Sequence, residues 1–203
     1  MEIINLFPGS WCSNCYIISD GGHAAVIDPS ASAKGILDYI KNHCLKLDFI
    51  IITHGHFDHI MSLDTLRNAT NIPAYIHEYD NELLGDGEKN AFKTFFGKDR
   101  AFAPADRLLR DKDKLALGNS ELEIMLTPGH TKGSVCIITP DFLVTGDTLF
   151  ANSYGRCDLY GGNISAMRES LKKLRDFDKN LPIYPGHGES AKLGHALDNA
   201  AYL

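Results

Sequence analysis

The sequence predicts an α/β protein in which two β-sheets pack against each other and helices cover them on the outside. Short apolar runs rich in Val and Ile recur through both halves of the 203-residue chain, bounded by Gly, Pro and Asp. Each set of runs is followed by segments in which apolar residues repeat at helical spacing. No Ser/Pro-rich linker divides the halves, and 44% of the residues are hydrophobic. We therefore expect residues 1–203 to form a single domain with one shared core.

The first half contains five predicted strands and two predicted helices. The runs EIINLF, CYIIS and AAVID each end at a turn signal, which is typical of short strands. A helix is predicted over about 32–43, where Ile36, Leu37 and Ile40 share one face. The next run, DFIIIT, is continuous, apolar and β-branched, which is typical of a strand covered on both faces. A second helix over 59–69 and the strand IPAYIH follow.

The segment from about 79 to 104 has no clear period. It contains Gly85, Gly87 and Gly97, together with four phenylalanines and several charged residues. We expect a mobile insertion near 79–104 that is partly helical. Its aromatic side chains either anchor it to the core or line a binding site, because clusters of exposed aromatics are uncommon on monomers.

The second half repeats the organisation of the first. Strands are predicted at DRLL, DKLAL, LEIMLT, SVCIIT and FLVTG, and PIYPG is predicted to be the last strand. Helices are predicted over 163–178 and 189–201. Asn163 is a suitable N-cap for the first of these two helices.

Composition argues against several classes of function. The formal net charge is -6 and no run of Lys and Arg exceeds two residues, which disfavours a nucleic-acid-binding surface. No apolar run approaches the roughly 20 residues of a membrane helix, and the N-terminus lacks the basic region of a signal peptide. The five cysteines are irregularly spaced and fit reduced thiols. We expect a cytoplasmic protein that binds neither nucleic acid nor membrane.

Four predicted strands are each followed by an imidazole or a carboxylate. His54 follows FIIIT, His130 follows EIMLTPG, Asp147 follows FLVTG, and His187 follows PIYPG. In layered α/β proteins, the crevice outside the carboxyl ends of strands is where binding sites are built. His77 also ends a strand, but it lacks a local set of partners, so we interpret it as structural.

The stretch HGHFDH at 54–59 adds a dense group of candidate metal ligands. Histidine and carboxylate together suit zinc, manganese or iron. One histidine alone is usually structural, whereas four such groups in six positions indicate a metal site. The seven candidates divide into one set of three, a second set of three and a bridge: His54, His56 and His130; Asp58, His59 and His187; and Asp147.

The sequence therefore predicts a site for two divalent transition-metal ions, with zinc preferred and iron or manganese also suitable. Two ions a few ångströms apart can hold a bridging hydroxide and acidify it strongly. Asp58 has a second predicted role in catalysis. Its carboxylate can accept a hydrogen bond from this hydroxide and orient it for attack.

Four motifs, THGHFDH, PGHTKGSV, GDTLF and YPGHGE, resemble in chain order the ligand motifs of the metallo-β-lactamase superfamily. The early NCY at 14–16 matches the first hairpin of that family. The resemblance spans about 15–189 and is closest to the glyoxalase-II-like hydrolases, which act on glutathione thioesters. It implies a four-layer αββα sandwich and a dinuclear metal hydrolase. The segment NSYGRCDLYGGN is similar to one found in short, single-domain relatives and in persulfide dioxygenases.

The same resemblance assigns a role to Arg156. This residue falls where glyoxalase II has a basic residue for the carboxylate of the substrate, which implies that Arg156 binds an anionic thiol substrate. Asp158 replaces a tyrosine that assists there. The structural alternative is an ion pair between Arg156 and Asp158.

Three functions remain open on the sequence. The first is a hydrolase for a small-molecule thioester such as S-lactoylglutathione or a related S-acyl thiol. The second is an iron-dependent persulfide dioxygenase that uses only His54, His130 and Asp147 as ligands. The third is a non-catalytic metal-binding module. The complete set of seven candidate ligands favours the hydrolase, and the sequence does not predict an oligomeric state.

Overall fold

Two sheets form the centre of the protein, for which a computed structural model describes residues 1–6 and 12–200. Within the described residues each sheet has six strands, and neighbouring strands follow chain order. The first sheet contains β1 (Glu2–Asn5), β2 (Tyr16–Asp20), β3 (His23–Ile27), β4 (Lys46–Ile52), β5 (Ala74–His77) and β6 (Arg107–Leu109). The second contains β7 (Lys114–Leu117), β8 (Ser120–Leu126), β9 (Val135–Ile138), β10 (Leu143–Gly146), β11 (Pro182–Pro185) and β12 (Ala191–Lys192).

The described helices are α1 (Ala33–Asn42), α2 (Leu63–Thr70), α3 (Asn81–Leu84), α4 (Phe92–Phe96), α5 (Ile164–Leu174) and α6 (Leu193–Asn199). Helices α1 to α5 lie in the connections between these strands, and α6 follows β12. The predicted N-cap Asn163 is confirmed, because its side chain accepts a hydrogen bond from Ala166 N at 3.0 Å. Ser32 caps α1 in the same way through Gly35 N.

Strand direction brings several carboxyl ends to one edge of the sandwich. In the first sheet β3, β4, β5 and β6 are parallel, and in the second sheet β10 and β11 are parallel. The two sheets meet at this edge, where Val135 N at the start of β9 donates to Thr53 O just after β4. The loops that follow β4, β10 and β11 therefore face a common space.

Three layers of apolar contact account for the four-layer arrangement. Ile50 and Ile52 of β4 pack toward α1 and α2, whereas Ile51 of the same strand packs between the sheets. On the other side, Ile183 of β11 packs with Met167 of α5. Strand β4 is thus buried on both faces, as its continuous apolar sequence predicts. The αββα sandwich predicted from the sequence is confirmed.

The helix predicted over 59–69 begins later in the structure. Residues Phe57–His59 form a short 3₁₀ turn, and α2 starts only at Leu63. The turn is held from outside, because Phe57 N donates to Asn90 O at 3.0 Å. This turn directs the side chains of residues 54–59 toward the edge of the sandwich. A regular helix that started at residue 59 would not need such a turn.

The C-terminal prediction is wrong in one respect. PIYPG is not the last strand, since Ala191 and Lys192 form β12 and pair with β11 in antiparallel register. The last helix consequently begins at Leu193 and not at residue 189. The predicted helix over 163–178 is present but ends at Leu174.

The segment 79–104 contains α3, α4 and a set of internal hydrogen bonds. Asn90 Nδ2 donates to Arg100 O at 2.9 Å, and Arg100 packs over the ring of Phe102, which is buried. The side chain of Phe95, in contrast, is exposed. Some aromatic residues therefore anchor the segment while others face outward, and its mobility stays a prediction.

No helix among the described residues is both long and apolar enough to cross a membrane. All five cysteines are described, and none forms a disulfide bond. Burial raises the pKa of Cys15 to about 12, which favours the protonated thiol. The turn predicted at Pro8-Gly9 lies outside the described residues.

Candidate metal centre

The loops at the common edge bring the seven candidate ligands into one cluster. His54, His56, Asp58 and His59 follow β4, His130 lies in the loop between β8 and β9, Asp147 follows β10, and His187 follows β11. Five of these side chains are buried, and Asp58 and His187 are half-buried. The rule that binding sites lie at the carboxyl ends of strands therefore predicts the positions of these seven residues correctly. Their role as metal ligands stays a prediction.

The first group consists of His54, His56 and His130. His54 Nε2 lies 3.1 Å from His56 Nδ1 and 3.2 Å from His130 Nε2, and the remaining distance, His56 Nδ1 to His130 Nε2, is 2.8 Å. Three ring nitrogens thus point at one small space. Neutral imidazoles in this arrangement can hold a divalent transition metal.

The second group consists of Asp58, His59 and His187. His187 Nε2 lies 3.1 Å from Asp58 Oδ2, and His59 Nε2 lies 3.9 Å from the same oxygen. Asp147 lies between the two groups. Its Oδ1 is 3.3 Å from His59 Nε2, and its Oδ2 is 3.5 Å from His130 Nε2, so one carboxylate faces both groups.

The hydrogen bonds of His59 and His130 show which ring atoms carry a lone pair into the cluster. His59 Nδ1 contacts the carboxylate of Asp28 at 2.8 Å, and His130 Nδ1 contacts the carbonyl oxygen of Arg156 at 2.7 Å. A carbonyl or carboxylate oxygen only accepts, so each Nδ1 carries the hydrogen. In the neutral ring, Nε2 then presents a lone pair to the cluster.

Two buried atoms of the cluster need a positive charge between them. His59 Nε2 and Asp147 Oδ1 are both buried and, among the described residues, neither has a hydrogen-bond partner. Two acceptors 3.3 Å apart repel each other unless a proton on His59 Nε2 or a metal ion lies between them. The donor set of imidazole and carboxylate matches zinc, iron or manganese, so the residues present fit a pair of divalent ions.

The pKa values of the cluster follow from burial and mutual proximity. Burial, followed by the charges of the other histidines, lowers the pKa of His54 well below its ordinary value and that of His56 to about 3. Burial also opposes a charge on His59, but the surrounding carboxylates, Asp147 first, outweigh it and hold the pKa of His59 well above normal. The pKa of Asp147 is lowered despite burial, chiefly by His59.

Asp28 is a site residue that the sequence analysis missed. Its Oδ2 accepts hydrogen bonds from His59 Nδ1 and from Thr53 Oγ1 at 2.6 Å, and its Oδ1 accepts from Thr53 N at 2.7 Å. The carboxylate is buried and fixes the ring orientation of His59. The sequence carried a signal for this residue, because Asp28 directly follows β3 in the same way that Asp147 follows β10.

Asp80 is a second missed residue and joins the two loops of the first group. Its carboxylate accepts hydrogen bonds from Gly55 N at 3.0 Å, Gly133 N at 2.7 Å and Thr131 Oγ1 at 2.7 Å. Burial raises the pKa of Asp80. The residue lies three positions after β5, so the strand-end rule could have found it as well.

Asn14 and Tyr16 hold the loop that carries His187. Asn14 Nδ2 donates to the carbonyl oxygens of Pro185 and Gly188, each at 2.9 Å, and Tyr16 OH donates to Pro185 O at 2.7 Å. The NCY motif noted in the sequence therefore positions a candidate ligand. His77, interpreted as structural, accepts a hydrogen bond from Tyr79 N and belongs to neither group.

Arg156 lies on the rim of the cluster and is paired with Asp158. Its Nε and Nη2 lie 2.6 Å and 2.8 Å from the two carboxylate oxygens, and both side chains are exposed. The ion pair considered as the alternative is therefore present. Arg156 also lines the cavity above the candidate ligands, so its role toward a substrate stays a prediction.

Comparison with known proteins now identifies the family. A family model described as the metallo-beta-lactamase superfamily matches residues 11–187, which is most of the chain. The chain belongs to the metallo-beta-lactamase superfamily. The superfamily resemblance predicted from the sequence motifs is confirmed.

A curated relative supports a metal-dependent hydrolase within this superfamily. The chain is 34% identical over 194 residues to the probable metallo-hydrolase YqgX of Bacillus subtilis, and the match covers 94% of this chain and 92% of the relative. This match supports a metal-dependent hydrolase but no particular substrate, since the name of YqgX specifies none.

Two solved structures of superfamily members share the architecture. BLEG-1, a B3 metallo-beta-lactamase, aligns with a TM-score of 0.92 and 30% identity over 100% of this chain and 99% of its own. TTHA1623, crystallised in a di-iron-bound form, aligns with a TM-score of 0.85 and 29% identity over 97% of this chain and 100% of its own. The di-iron-bound form of TTHA1623 shows that this architecture can hold two metal ions, while the metal of this protein stays unassigned.

Proposed function

We propose that this protein is a thioester hydrolase that works with two divalent transition-metal ions, zinc preferred, held by the seven clustered side chains. The observation that carries the metal part of the proposal is the pair of buried acceptors, His59 Nε2 and Asp147 Oδ1, 3.3 Å apart and without a hydrogen bond. His54, His56 and His130 would hold one ion, and Asp58, His59 and His187 the other. Asp147 would serve both.

The bound ions would supply a Lewis acid and a means of ionising water near neutral pH. The side chains of the protein would supply orientation. Asp58 combines partial exposure with a lowered pKa, which burial opposes and His59 and His187 cause. Its carboxylate can accept a hydrogen bond from the attacking water and direct the oxygen lone pair at the substrate carbonyl. Asp28 would keep His59 in the tautomer that this arrangement needs.

The thioester assignment rests on the glyoxalase-II-like motifs and on the shape of the site. A cavity of about 410 Å³ opens above the cluster and is within the range of small-molecule sites. The proposed substrates are small-molecule thioesters such as S-lactoylglutathione or a related S-acyl thiol. Hydrolysis adds water to the carbonyl carbon and breaks the carbon–sulfur bond, which releases a carboxylic acid and a thiol.

An iron-dependent persulfide dioxygenase remains the second candidate. It would need only His54, His130 and Asp147, and it would leave the group of Asp58, His59 and His187 without a role. The ligand atoms of that second group lie within 4.8 Å of one another, which supports the hydrolase.

Metal content and product analysis together test the proposal. We expect two transition-metal ions per chain after anaerobic purification, and loss of both in Asp147→Ala, because this carboxylate faces both groups. In water labelled with oxygen-18, thioester turnover should place the label in the acid, and hydroxylamine should trap no acyl group on the protein.

Several outcomes would contradict the proposal. A single iron per chain, with oxygen consumption on glutathione persulfide faster than any thioester hydrolysis, would establish the dioxygenase instead. Hydrolysis of a β-lactam but of no thioester would assign the metal centre to a different substrate. Normal metal content and activity in Asp147→Ala would show that this carboxylate does not connect the two groups.

A further inference from the structure

The cavity above the candidate metal centre has an unusual division between its floor and its walls. Its floor is formed by candidate ligands, whereas its walls are apolar. The wall residues are Phe57, Ala91, Phe95, Phe150 and Leu159. Apart from the candidate ligands, the charged residue in its lining is Arg156, whose guanidinium is already paired with Asp158.

Phe57 connects this wall to the metal centre. It lies between His56 and Asp58, and its ring centre is 5.4 to 5.7 Å from those of three aromatic residues of α4. Helix α4 therefore packs on the ligand-bearing turn through aromatic contacts. No residue of α4 is buried, so the helix presents aromatic surface outward.

Phe95 is the member of this helix that faces the cavity. Its side chain is 54% exposed, while that of the neighbouring Phe96 is 40% exposed and does not line the cavity. When an apolar group covers an exposed phenylalanine beside a candidate active site, apolar surface is removed from water and the free energy falls. An apolar substrate group in this cavity would provide that cover.

A second cavity lies on the other side of His187 and differs in chemistry. It has a volume of about 840 Å³ and shares Phe150 and His187 with the apolar cavity. Besides His187, its polar lining consists of Asn152, Ser153, Glu189, Ser190, Lys192 and His195. Because the two cavities meet at the metal centre, an extended substrate can place unlike halves in them.

We propose that the apolar cavity binds the acyl group of the substrate and the polar cavity binds its thiol part, so that the protein selects thioesters with apolar acyl chains. This inference rests on the proposed thioester hydrolysis and narrows its substrate class. The polar 2-hydroxyacyl group of S-lactoylglutathione would find no uncommitted polar side chain in the apolar walls. An unbranched alkanoyl chain would instead cover Phe95 and Leu159.

The test is a chain-length series on one thiol. S-acetyl-, S-butyryl- and S-hexanoylglutathione are compared with S-lactoylglutathione, using the purified metal-loaded protein. Burial of each methylene predicts a rise in kcat/KM of about three- to fourfold, which amounts to roughly 9- to 16-fold from acetyl to butyryl. Phe95→Ala should flatten this dependence. Phe96→Ala, on the same helix but outside the cavity, is the matched control and should keep the wild-type dependence.

Binding provides a readout that does not require turnover. S-methyl-, S-propyl- and S-hexylglutathione are thioethers and cannot be hydrolysed. Their dissociation constants, measured by calorimetry, should fall about three- to fourfold per methylene over the first additions, with a negative heat-capacity change. The same dependence should be weaker in Phe95→Ala and unchanged in Phe96→Ala.

These experiments distinguish failure of this inference from failure of the proposed thioester hydrolysis. Turnover of all thioesters with no chain-length dependence, or with the lactoyl ester preferred, overturns the apolar acyl site and leaves the hydrolase intact. Equal effects of Phe95→Ala and Phe96→Ala overturn it too, because they show a general role for α4. Absence of turnover with all four esters contradicts the proposed function, and the thioether series then decides by itself whether the cavity prefers apolar chains.

Discussion

Replacement of Asp28 by asparagine should weaken the metal centre without touching a candidate ligand. The two carboxylate oxygens of Asp28 accept three hydrogen bonds, from Thr53 N, Thr53 Oγ1 and His59 Nδ1. Asparagine has the same shape but only one acceptor oxygen. In either orientation, its amide nitrogen therefore faces a group that donated to Asp28.

The two orientations have different consequences. If the amide oxygen keeps the bond to His59, the amide nitrogen faces Thr53 N at 2.7 Å, and a buried unsatisfied donor costs about 1–3 kcal/mol. For a chain of this size, that corresponds to a fall in Tm of roughly 2–12 °C. If the amide oxygen instead keeps the hydrogen bond from Thr53 N, the amide nitrogen faces His59 Nδ1. His59 must then carry its hydrogen on Nε2. That atom could then no longer act as a ligand, and metal affinity should fall about 10- to 100-fold.

Two measurements on the Asp28→Asn variant separate these effects. Urea denaturation of the apoprotein reports the free energy of unfolding, and titration of zinc against a chromophoric chelator reports the affinity of each site. Asp106→Asn is the control, because Asp106 also accepts a backbone hydrogen bond, from Ala74 N at 2.8 Å, but contacts no candidate ligand. If Asp28→Asn binds two zinc ions with wild-type affinity and unfolds within about 0.5 kcal/mol of wild type, Asp28 does not orient His59 for metal binding.

Two further predictions concern the floor and the rim of the site. A Cβ at Gly186 would lie 2.1 Å from Asp147 Oδ1, so Gly186→Ala should displace that carboxylate and lower metal content and activity. Gly85→Ala, where a Cβ meets nothing within 4 Å, is its control, and equal metal content in both variants would contradict this explanation. Because Arg156 lines the cavity assigned to the acyl group, Arg156→Ala should raise KM for a thioester with an anionic acyl group much more than for a neutral one. Asp158→Ala should lower KM for the anionic substrate by releasing the guanidinium, whereas equal changes on both substrates would favour a structural ion pair.

Local patterns in the sequence are enough to locate the strands and the candidate ligands. A buried strand needs a continuous apolar run, as in FIII of β4, and the change to polar residues marks where it ends. Both signals are local, so they can be found without knowledge of the fold. Parallel neighbours within a sheet bring such ends to one edge, and the two sheets meet at that edge, which is why His54, Asp147 and His187 meet as predicted.

The tertiary structure decided which strand-end groups face the cluster and which support it from behind. Asp28 and Asp147 follow their strands in the same local pattern, yet Asp28 contacts the far side of His59 while Asp147 faces both groups of candidate ligands. Their difference depends on which strands are neighbours and on the direction in which each loop leaves its sheet. Neither property is encoded in the few residues around either aspartate.

The same limit applies to the aromatic residues of α4. Phe95 and Phe96 are adjacent in a segment without a clear period, and composition alone gives them the same role. Successive positions on a helix point about 100° apart, so only the packing of Phe57 against α4 determines which ring reaches the cavity. That orientation comes from contacts between residues almost forty positions apart along the chain, which is why tertiary structure alone could decide it.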